Sequence, residues 1–333
     1  MHKHDTDAES RSHPGVGSRE LRLAFLLTNG FALMSYASIA EPFRAANILS
    51  GKPLYAWRHL STRDSVARAS NGAHIIVDST IQDDATYDTI FVFAAGNPAE
   101  FDDEATFAAL RRHASRGARL AGVSGGPYIL AKAGLLDGHR STIHWKHQPA
   151  FVEAFPRVAL EHALYVIDNG KVTCAGGTAG LDLAVELIGR DHGDTLAAMV
   201  GEWFIRTQAR EGQGPQRMSL QERYKVWNPK LLQILALMEA NLAEPLTREA
   251  LASAAGISLR QVERLFAEHL SMTLGDCYRS LRLELAMTLL KQTSLSVTEI
   301  AVACGFASAS HFSRIFARQH GFPPTMARRS EAA

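Results

Sequence analysis

Ser124 is a candidate nucleophile, because the residues around it are of the types found at catalytic serines. It follows a short apolar run and precedes Gly125 and Gly126, a sequence typical of a sharp strand-to-helix turn that presents one side chain. His144 lies downstream, and Glu41 lies late in an earlier predicted helix. A serine, a histidine and an acid suggest a hydrolase, but the serine needs a base within hydrogen-bonding distance. Because sequence spacing does not place His144 against Ser124, these residues predict either a hydrolase or a pocket that only binds a ligand.

Two similar patterns occupy the C-terminal part of the chain, at 246–270 and 296–320. Each begins with a hydroxyl residue suited to cap a helix and passes through a short helix into a turn centred on glycine. Each then restarts at a second capping serine, Ser258 or Ser308, and enters a longer amphipathic helix. The two patterns predict a pair of helix-turn-helix units, which read base edges in the major groove of DNA.

The apolar residues of each longer helix predict which side chains face outward. Phe266 and Phe316 belong to the inward faces, so the polar residues of both helices are left to contact DNA. Arginine pairs with guanine edges and glutamine with adenine, whereas an arginine at a helix end suits a phosphate. The predicted DNA-contacting residues are Ser258, Arg260, Gln261, Arg264, Ser308, Ser310, His311, Arg314 and Arg318. The alternative is a helical bundle with a solvated polar face, which two matching patterns disfavour.

A long helix is predicted between the two units, over 273–293, where Leu281, Leu285 and Leu289 recur every four residues. Roughly 20 helical residues span about 30 Å. Successive major grooves on one face of DNA lie about 34 Å apart. The spacing therefore predicts that one rigid helix holds two reading helices in neighbouring grooves of double-stranded DNA.

Residues from about 228 to 327 resemble the AraC/XylS-type DNA-binding domain. The most specific stretch is 296–325, which contains the turn glycine Gly305 and the closing Pro324. The sequence departs from the family at 273–275, where a proline is often found near the start of the linker helix. The resemblance implies a sequence-specific transcription factor, for which RNA polymerase is a further partner.

Length, composition and charge limit the remaining classes of protein. With 333 residues, 46% of them hydrophobic, the chain is expected to form about two domains. It has no run of 18 apolar residues and no apolar signal region, so we expect no membrane partner and a cytoplasmic location. Cys174, Cys277 and Cys304 lack the spacing of a metal site, and neither a metal nor a cofactor is predicted. The net charge is +1, a weak footprint for DNA binding, so we expect charge to be focused locally or doubled in a homodimer.

Short apolar runs alternate with helical patterns over the first two-thirds of the chain. The predicted strands are 21–28, 55–61, 73–77, 89–94, 119–123 and 172–174, and the predicted helices are 34–47, 99–115, 127–133 and 181–188. This alternation predicts an α/β fold with a mainly parallel sheet flanked by helices, followed by an all-α domain with two helix-turn-helix units. Ligands bind such sheets at the carboxyl ends of the strands, where Ser124 is predicted to lie.

The stretch from Ser124 to Trp145 resembles the class I glutamine amidotransferase-like domains of the ThiJ/PfpI branch, which implies a flavodoxin-like sheet. In that branch the residue at the turn is usually cysteine, with a histidine downstream and a glutamate from the first helix. Here Ser124, His144 and Glu41 take the matching positions. Because a serine hydroxyl is a far weaker acid than a thiol, we favour a pocket without catalysis. The predicted ligand-binding residues are Glu41, Ser124, Gly125, Tyr128, His144 and Trp145.

The order of the two domains resembles that of the GlxA-like transcriptional regulators, from about residue 20 to 327. Further shared stretches are 41–47, 133–138 and 178–183. The family includes activators of arginine, glycine betaine and carnitine catabolism. The resemblance therefore implies an activator whose first domain dimerises and binds a small nitrogenous metabolite. The alternative is an amidase or hydrolase that carries a DNA-binding appendage.

Two ligand chemistries fit the predicted pocket. Aromatic walls from Phe43, Tyr128 and Trp145 beside the carboxylate of Glu41 suit a cationic amine. An α-amino acid is the second possibility, because backbone N–H groups after Gly125 can bind its carboxylate. If the three aromatic side chains pack in the core instead, the first chemistry loses its basis.

The predicted domain boundaries follow from composition. Residues 1–19 are predicted to be a disordered tail and 20–210 the α/β domain. A polar segment with glycine and proline, 211–224, is predicted to be the linker. The DNA-binding domain is predicted over 225–327, with a short tail at 328–333.

Overall fold

The computed structural model describes residues 19–328. The predicted N-terminal tail lies outside this range except for Arg19, and the predicted C-terminal tail lies outside it except for Arg328. Within the described range, no helix combines the length and the apolar character that crossing a membrane requires. We call 19–210 the first domain, 211–224 the connecting segment and 225–328 the second domain.

A seven-stranded sheet forms the centre of the first domain. The strands of this domain are β1 (Leu21–Leu27), β2 (Tyr55–Ser61), β3 (Val66–Arg68), β4 (His74–Ile76), β5 (Ser79–Thr80), β6 (Thr89–Ala94), β7 (Arg119–Ser124), β8 (Arg140–Ser141), β9 (Ala159–Leu160), β10 (Tyr165–Asp168) and β11 (Lys171–Cys174). The central sheet has the order β10-β11-β7-β6-β1-β2-β5, and every neighbouring pair is parallel except β10 with β11. All residues of β6 are buried, because helices cover both faces of the sheet.

Six helices pack against the two faces of this sheet. They are α1 (Leu33–Ser50), α2 (Glu104–Ser115), α3 (Gly126–Lys132), α4 (Gln148–Ala154), α5 (Ala179–His192) and α6 (Asp194–Trp203), with a short 3-10 turn at Pro98–Glu100. One apolar core joins α1, α5 and α6 to one face, and a second core joins α2, α3 and α4 to the other. The predicted fold class, a mainly parallel sheet flanked by helices, is confirmed.

Two local predictions differ from the structure. The predicted strand at 73–77 forms β4, which pairs antiparallel with β3 outside the central sheet and leaves Ile76 exposed. The predicted helix at 99–115 is interrupted before α2 begins at Glu104. Asp103 explains the interruption, because its carboxylate accepts hydrogen bonds from Arg63 (3.0 Å) and from Thr106 (3.0 Å) and so holds the chain in an extended conformation.

The second domain consists of helices. They are α8 (Pro229–Ala240), α9 (Arg248–Ala255), α10 (Leu259–Leu270), α11 (Leu274–Gln292), α12 (Val297–Ala303), α13 (Ala309–His320) and α14 (Pro324–Ala327), and α7 (Leu220–Tyr224) precedes them in the connecting segment. Thr247, Ser258, Ser296 and Ser308 each accept a hydrogen bond from the backbone N–H three residues later. Because all four capping residues lie where the sequence places them, the two predicted helix-turn-helix units, α9–α10 and α12–α13, are confirmed.

The long helix α11 is joined to the first unit by Tyr278. The Tyr278 hydroxyl donates a hydrogen bond to the Asn241 carbonyl oxygen (2.6 Å) and accepts one from the Leu246 backbone N–H (3.2 Å). Both partners lie in the stretch between α8 and α9. This contact fixes the entry to the first unit against the N-terminal part of α11.

Arg282, one helical turn further along α11, is joined to the second unit. Its Nε donates to the Cys304 carbonyl oxygen (2.6 Å), and its terminal nitrogen donates to the Gly305 carbonyl oxygen. Its guanidinium also lies 4.0 Å from the centre of the Phe306 ring. Gly305 has a φ of 70°, and a Cβ there would lie 2.6 Å from the ring of Pro245, so this turn accepts only glycine. One arginine therefore holds the whole turn of the second unit.

We expect Arg282→Met to destabilise the second domain by about 2–3 kcal/mol, since it removes two hydrogen bonds to carbonyl groups and one cation–π contact. Chemical denaturation followed by tryptophan fluorescence and circular dichroism measures this loss. Arg279→Met is the matched control, because Arg279 lies on the same helix and forms only an exposed ion pair with Asp276, which contributes less than about 1 kcal/mol. Equal stability of the two variants would contradict the proposed role of Arg282.

Candidate functional site

The turn at Ser124 lies at the carboxyl end of β7, where α3 begins. Ser124 has a φ of 61°, a left-handed conformation that a non-glycine residue seldom adopts. Gly125 donates a backbone hydrogen bond to Ala94 at the end of the neighbouring strand (2.8 Å). A Cβ on Gly126 would lie 1.9 Å from the Val92 carbonyl oxygen, so the backbone approach requires glycine. The predicted strand-to-helix turn is present, and we call 124–126 the elbow.

A second glycine turn, at Gly176 and Gly177, borders the elbow. A Cβ on Gly176, whose φ is 82°, would lie 2.7 Å from the Ser124 Cβ and 2.7 Å from the Ser35 hydroxyl oxygen. The Ser35 hydroxyl accepts a hydrogen bond from the Gly177 N–H (2.8 Å), and the Ser38 hydroxyl donates one to the Gly177 carbonyl oxygen (2.6 Å). Helix α1 therefore presents serine side chains to the elbow, which the sequence analysis did not identify.

Glu41 lies apart from this group of residues. Its carboxylate is half exposed and accepts two hydrogen bonds from Arg44, at 2.8 and 2.5 Å. Ser35 and Ser38 of α1 are therefore bonded to the turn beside Ser124, whereas no hydrogen bond joins Glu41 to that turn among the described residues, and its ligand-binding role stays a prediction.

His144 is joined to the elbow through its backbone. Its N–H donates to the Ser124 carbonyl oxygen (3.3 Å), and its ring Nδ1 accepts from the Lys146 N–H (3.3 Å). Burial, with smaller contributions from His147 and Lys146, lowers the pKa of His144 to about 4, so the ring is neutral at pH 7. Among the described residues, no hydrogen bond joins the Ser124 hydroxyl to His144 or to another side chain. The nucleophile and base of a hydrolase are therefore not paired here.

The three aromatic residues expected around the pocket have different surroundings. Phe43 is buried in the core on one face of the sheet, and Tyr128 is buried in the core on the other. Trp145 is 42% exposed, and the guanidinium of Arg217 lies 4.7 Å from its ring centre. The expected aromatic wall is therefore not formed, and the face of Trp145 already contacts a cation from the connecting segment.

The turn formed by His144–His147, which we call the 144–147 turn, contacts the second domain. His147 Nδ1 lies 3.0 Å from Gln292 Oε1 at the C-terminal end of α11, and both side chains are about 95% buried. Beside it, the Asn97 side chain donates to the Lys291 carbonyl oxygen (2.6 Å). Burial lowers the pKa of His147, which keeps its ring neutral. The elbow and the long helix of the second domain are thus separated by a single turn of chain.

The connecting segment also lies against the first domain. The Gln216 side-chain nitrogen lies within hydrogen-bonding distance of the carbonyl oxygens of Ile143 (3.0 Å) and Ala163 (2.7 Å). Together with the contact between Arg217 and Trp145, this places the segment next to the 144–147 turn. The polar composition that predicted a linker therefore does not prevent it from making specific contacts.

All nine predicted DNA-contacting residues are exposed, on or immediately before α10 and α13. Ser258 and Ser308 use their hydroxyls to cap these helices. The Gln261 side-chain oxygen accepts hydrogen bonds from the Ser258 N–H (2.8 Å) and hydroxyl (2.9 Å), which leaves only its amide nitrogen to donate. Arg264 lies 3.7 Å from Glu268, a weak exposed pair. Within the described range, Arg260, Arg314 and Arg318 form no ion pair, so their guanidinium groups are available on this surface.

No metal site is found in the part of the chain that the structure describes. There, no group of three or more histidine, cysteine, aspartate or glutamate side chains is arranged to hold an ion. Cys174, Cys277 and Cys304 are each buried, with unpaired thiols.

Comparison with known proteins matches both domains. The DJ-1/PfpI family profile matches residues 21–190, and a helix-turn-helix domain profile matches 251–330. The chain is 42% identical over 309 residues to the HTH-type transcriptional regulator GlxA of Rhizobium meliloti (strain 1021), covering 92% of this chain and 95% of GlxA. It is 41% identical over 302 residues to the HTH-type transcriptional regulator GbdR of Pseudomonas aeruginosa (strain UCBPP-PA14), covering 91% and 82%. The crystal structure of an AraC family transcriptional regulator from Pseudomonas putida shares the fold over 55% of this chain and 99% of its own, with a TM-score of 0.51 and 22% identity.

The first domain has an elbow at a strand end of a parallel sheet, and the second has two helix-turn-helix units on one long helix. Together they define a transcriptional regulator built on a DJ-1/PfpI domain. The chain belongs to the DJ-1/PfpI family and, within it, to the HTH-type transcriptional regulators of the GlxA and GbdR kind. The resemblance inferred from the sequence is confirmed, and DNA binding follows from this family.

We expect Arg260→Ala and Arg314→Ala each to relax base preference at one position of the binding site, at a cost of about 1–3 kcal/mol. In-vitro selection from random DNA with the full-length protein defines the site, and titration of single-base variants measures the change. Arg157→Ala is the control, because Arg157 is highly exposed on the first domain and pairs only with Asp137. Uniform weakening on every sequence would instead assign the arginine to a phosphate.

Proposed function

We propose that this chain is a metabolite-responsive transcriptional activator, which senses a small nitrogenous compound at the elbow and controls genes for amino-acid or amine catabolism. The family supports the regulatory role. The class of metabolite and the activating role follow from the resemblance to activators of arginine, glycine betaine and carnitine catabolism. The protein acts as a homodimer in the cytoplasm and recruits RNA polymerase, as this class of regulator implies.

The hydrogen bond between His147 and Gln292 is the observation that carries this proposal. It joins two buried side chains from different domains, at a separation of 3.0 Å. His144, three residues before His147, is bonded to the elbow at the Ser124 carbonyl oxygen. Any displacement of the 144–147 turn therefore acts on the elbow at one end and on α11 at the other.

Ligand entry at the elbow requires such a displacement. Ser124 is only 6% exposed and Tyr128 5%, so a ligand cannot reach them while the surrounding turns stay in place. The backbone around the glycines is too closely packed to yield, whereas the 144–147 turn is held to its surroundings by one backbone hydrogen bond, from His144 to Ser124, and by side-chain contacts. A ligand that binds only when this turn has moved favours the state in which α11 is released from the first domain. Differential affinity for two states is the thermodynamic requirement for a switch.

Trp145 supports a cationic ligand. In the described state its exposed ring is contacted by the guanidinium of Arg217. A ligand guanidinium or quaternary ammonium that stacks on the same face competes with Arg217, because cations over indole rings occupy one site at a time. Such competition releases the connecting segment, which Arg217 and Gln216 otherwise hold beside Ile143.

The alternative function, an amidase or hydrolase with a DNA-binding appendage, lacks structural support at the serine. The Ser124 hydroxyl has no paired base, and no acid is bonded to the His144 ring among residues 19–328. The Glu41 carboxylate is bonded to Arg44 instead. The elbow therefore offers a shape for binding without the proton transfer that activates a serine.

A thermal-shift screen of the full-length protein with amino acids, betaines and polyamines tests the sensing role. A ligand at about 100 times its dissociation constant, bound only to the folded state, is expected to add about 2.7 kcal/mol of stability. Trp145→Ala is expected to reduce this stabilisation, whereas Trp227→Ala, a change at an exposed tryptophan of the second domain, is the matched control.

Ser124→Ala separates a sensor from a hydrolase in the same screen. A sensor keeps DNA binding and ligand stabilisation, because the hydroxyl makes no hydrogen bond that the change removes. A hydrolase loses turnover of any amide that the wild-type protein cleaves. Failure of every compound to stabilise a folded wild-type protein would contradict the sensing role and favour a constitutive regulator.

We expect His147→Ala, in the first domain, and Gln292→Ala, in the second, to have the same effect on the coupling between the two domains. Each removes the buried interdomain hydrogen bond, so each is expected to bind operator DNA without effector as the wild-type protein does with effector. Fluorescence anisotropy on the selected operator, with and without the stabilising ligand, measures this.

The double variant and a control make the outcome interpretable. The double variant His147→Ala/Gln292→Ala is expected to behave like either single variant, because both changes remove one shared contact. Gln221→Ala, at an exposed glutamine of α7, is the control. A full effector response in both single variants would show that the contact does not transmit the signal.

A further inference from the structure

A cavity of about 530 Å³ lies at the edge of the sheet opposite the elbow. It opens at the amino ends of β1, β6, β7 and β11, whereas Ser124 lies at the carboxyl end of β7. Its apolar floor includes Leu21, Phe43, Phe91 and Leu187, which belong to or pack against the core on that face. A volume of this size lies within the range of small-molecule sites, roughly 300–1,000 Å³.

Two cations line this cavity without a bonded partner. Within the described range, the side chains of Arg119 and Lys171 form neither an ion pair nor a hydrogen bond. Both are partly buried, and burial lowers the pKa of Lys171 because no neighbouring carboxylate compensates for the lost solvation. Because partial burial removes some of the hydration of these two cations, an anion bound between them would replace the lost solvation.

The acidic residues of the cavity are already engaged. Asp88 accepts two hydrogen bonds from Arg19 and one from the Arg22 N–H, at 3.0, 2.5 and 2.7 Å. Asp191 accepts a hydrogen bond from the Tyr55 hydroxyl (3.1 Å), and burial raises its pKa. Asp191 interacts electrostatically with Arg119 without forming an ion pair, and neither carboxylate forms an ion pair with Lys171. Both cations therefore keep donors for an external anion.

We propose that this cavity binds the carboxylate of a small organic acid, with Arg119 and Lys171 as the donors and the apolar floor against the hydrocarbon part of the ligand. The site is separate from the elbow and does not depend on the sensing role assigned there. Helix α5 connects the two places, because it begins at Ala179 after the Gly176–Gly177 turn and carries Asp191 in its last turn at the cavity. An α-amino acid and a simple carboxylic acid share the required chemistry, and the amino acid would place its ammonium group at Asp191.

Isothermal titration calorimetry of the full-length protein with hexanoate tests the site. Hexanoate is expected to bind the wild-type protein, and the neutral hexanamide is expected not to bind measurably. Lys171→Gln and Arg119→Gln are each expected to weaken hexanoate binding at least tenfold, because each removes one charge-assisted contact. Arg157→Gln is the matched control, since it removes one positive charge from an exposed position of the same domain.

Further variants separate the outcomes. Lys171→Arg is expected to keep binding within about threefold, since it retains the charge, and unfolding curves for all variants exclude a loss of structure as the cause. If L-leucine binds more tightly than hexanoate, and Asp191→Asn removes this difference in affinity, the cavity is an amino-acid site. Tighter binding of hexanoate identifies a simple carboxylate site, so that both results support the proposal. Three results would overturn the proposal. The first is equal affinity in the Lys171, Arg119 and Arg157 variants, and the second is loss of hexanoate binding in Ser124→Ala. The third is that neither hexanoate nor L-leucine binds the wild-type protein.

Discussion

Helix α11 is the constraint on which the position of every DNA-contacting residue depends. Tyr278 and Arg282, one turn apart on this helix, hold backbone carbonyl groups at the entry to the first unit and in the turn of the second. The C-terminal end of the same helix, at Gln292, is buried against the first domain. Both reading helices therefore keep their spacing when α11 moves as a body, and such a movement changes only their relation to the first domain. This is the type of motion that a ligand-dependent regulator needs, because packed elements move between discrete arrangements more readily than they deform.

The elbow is rigid because its glycines allow backbone segments to pack in direct contact. A Cβ on Gly122 would lie 2.6 Å from the Pro127 nitrogen, and one on Gly126 would overlap the Val92 carbonyl oxygen. Backbone segments in such close contact cannot yield to a ligand without disrupting the sheet. The 144–147 turn, which borders the elbow, is held by hydrogen bonds and ring contacts. Rigidity on one side and side-chain contacts on the other direct any response of the elbow toward α11.

Much of the fold could be predicted from the sequence, because it depends on local patterns. The capping residues Ser258 and Ser308 and the period of α11 are encoded within a few residues of one another. The contacts between His147 and Gln292 and between Asn97 and Lys291 join residues 145 and 194 positions apart, and no local pattern encodes them. The elbow was found from its glycines, but its neighbour on α1 was not. An acidic side chain suggested Glu41, whereas Ser35 and Ser38 contact Gly177 across 142 and 139 positions of the chain, which no local pattern encodes.

The backbone conformation of the elbow and the reactivity of its side chain are separate properties, which explains how a DJ-1/PfpI domain can serve in a regulator. The elbow keeps the left-handed backbone that presents a residue at the end of a central strand. Its electrostatics are different from those of a nucleophilic site, because Ser124 has no bonded base and the nearby thiol of Cys174 is fully buried. Burial raises the pKa of that thiol to about 12, which keeps it protonated and unreactive. A fold fixes where a side chain stands, whereas reactivity requires charges and proton acceptors around it. The elbow keeps the first, whereas the described residues around Ser124 do not supply the second.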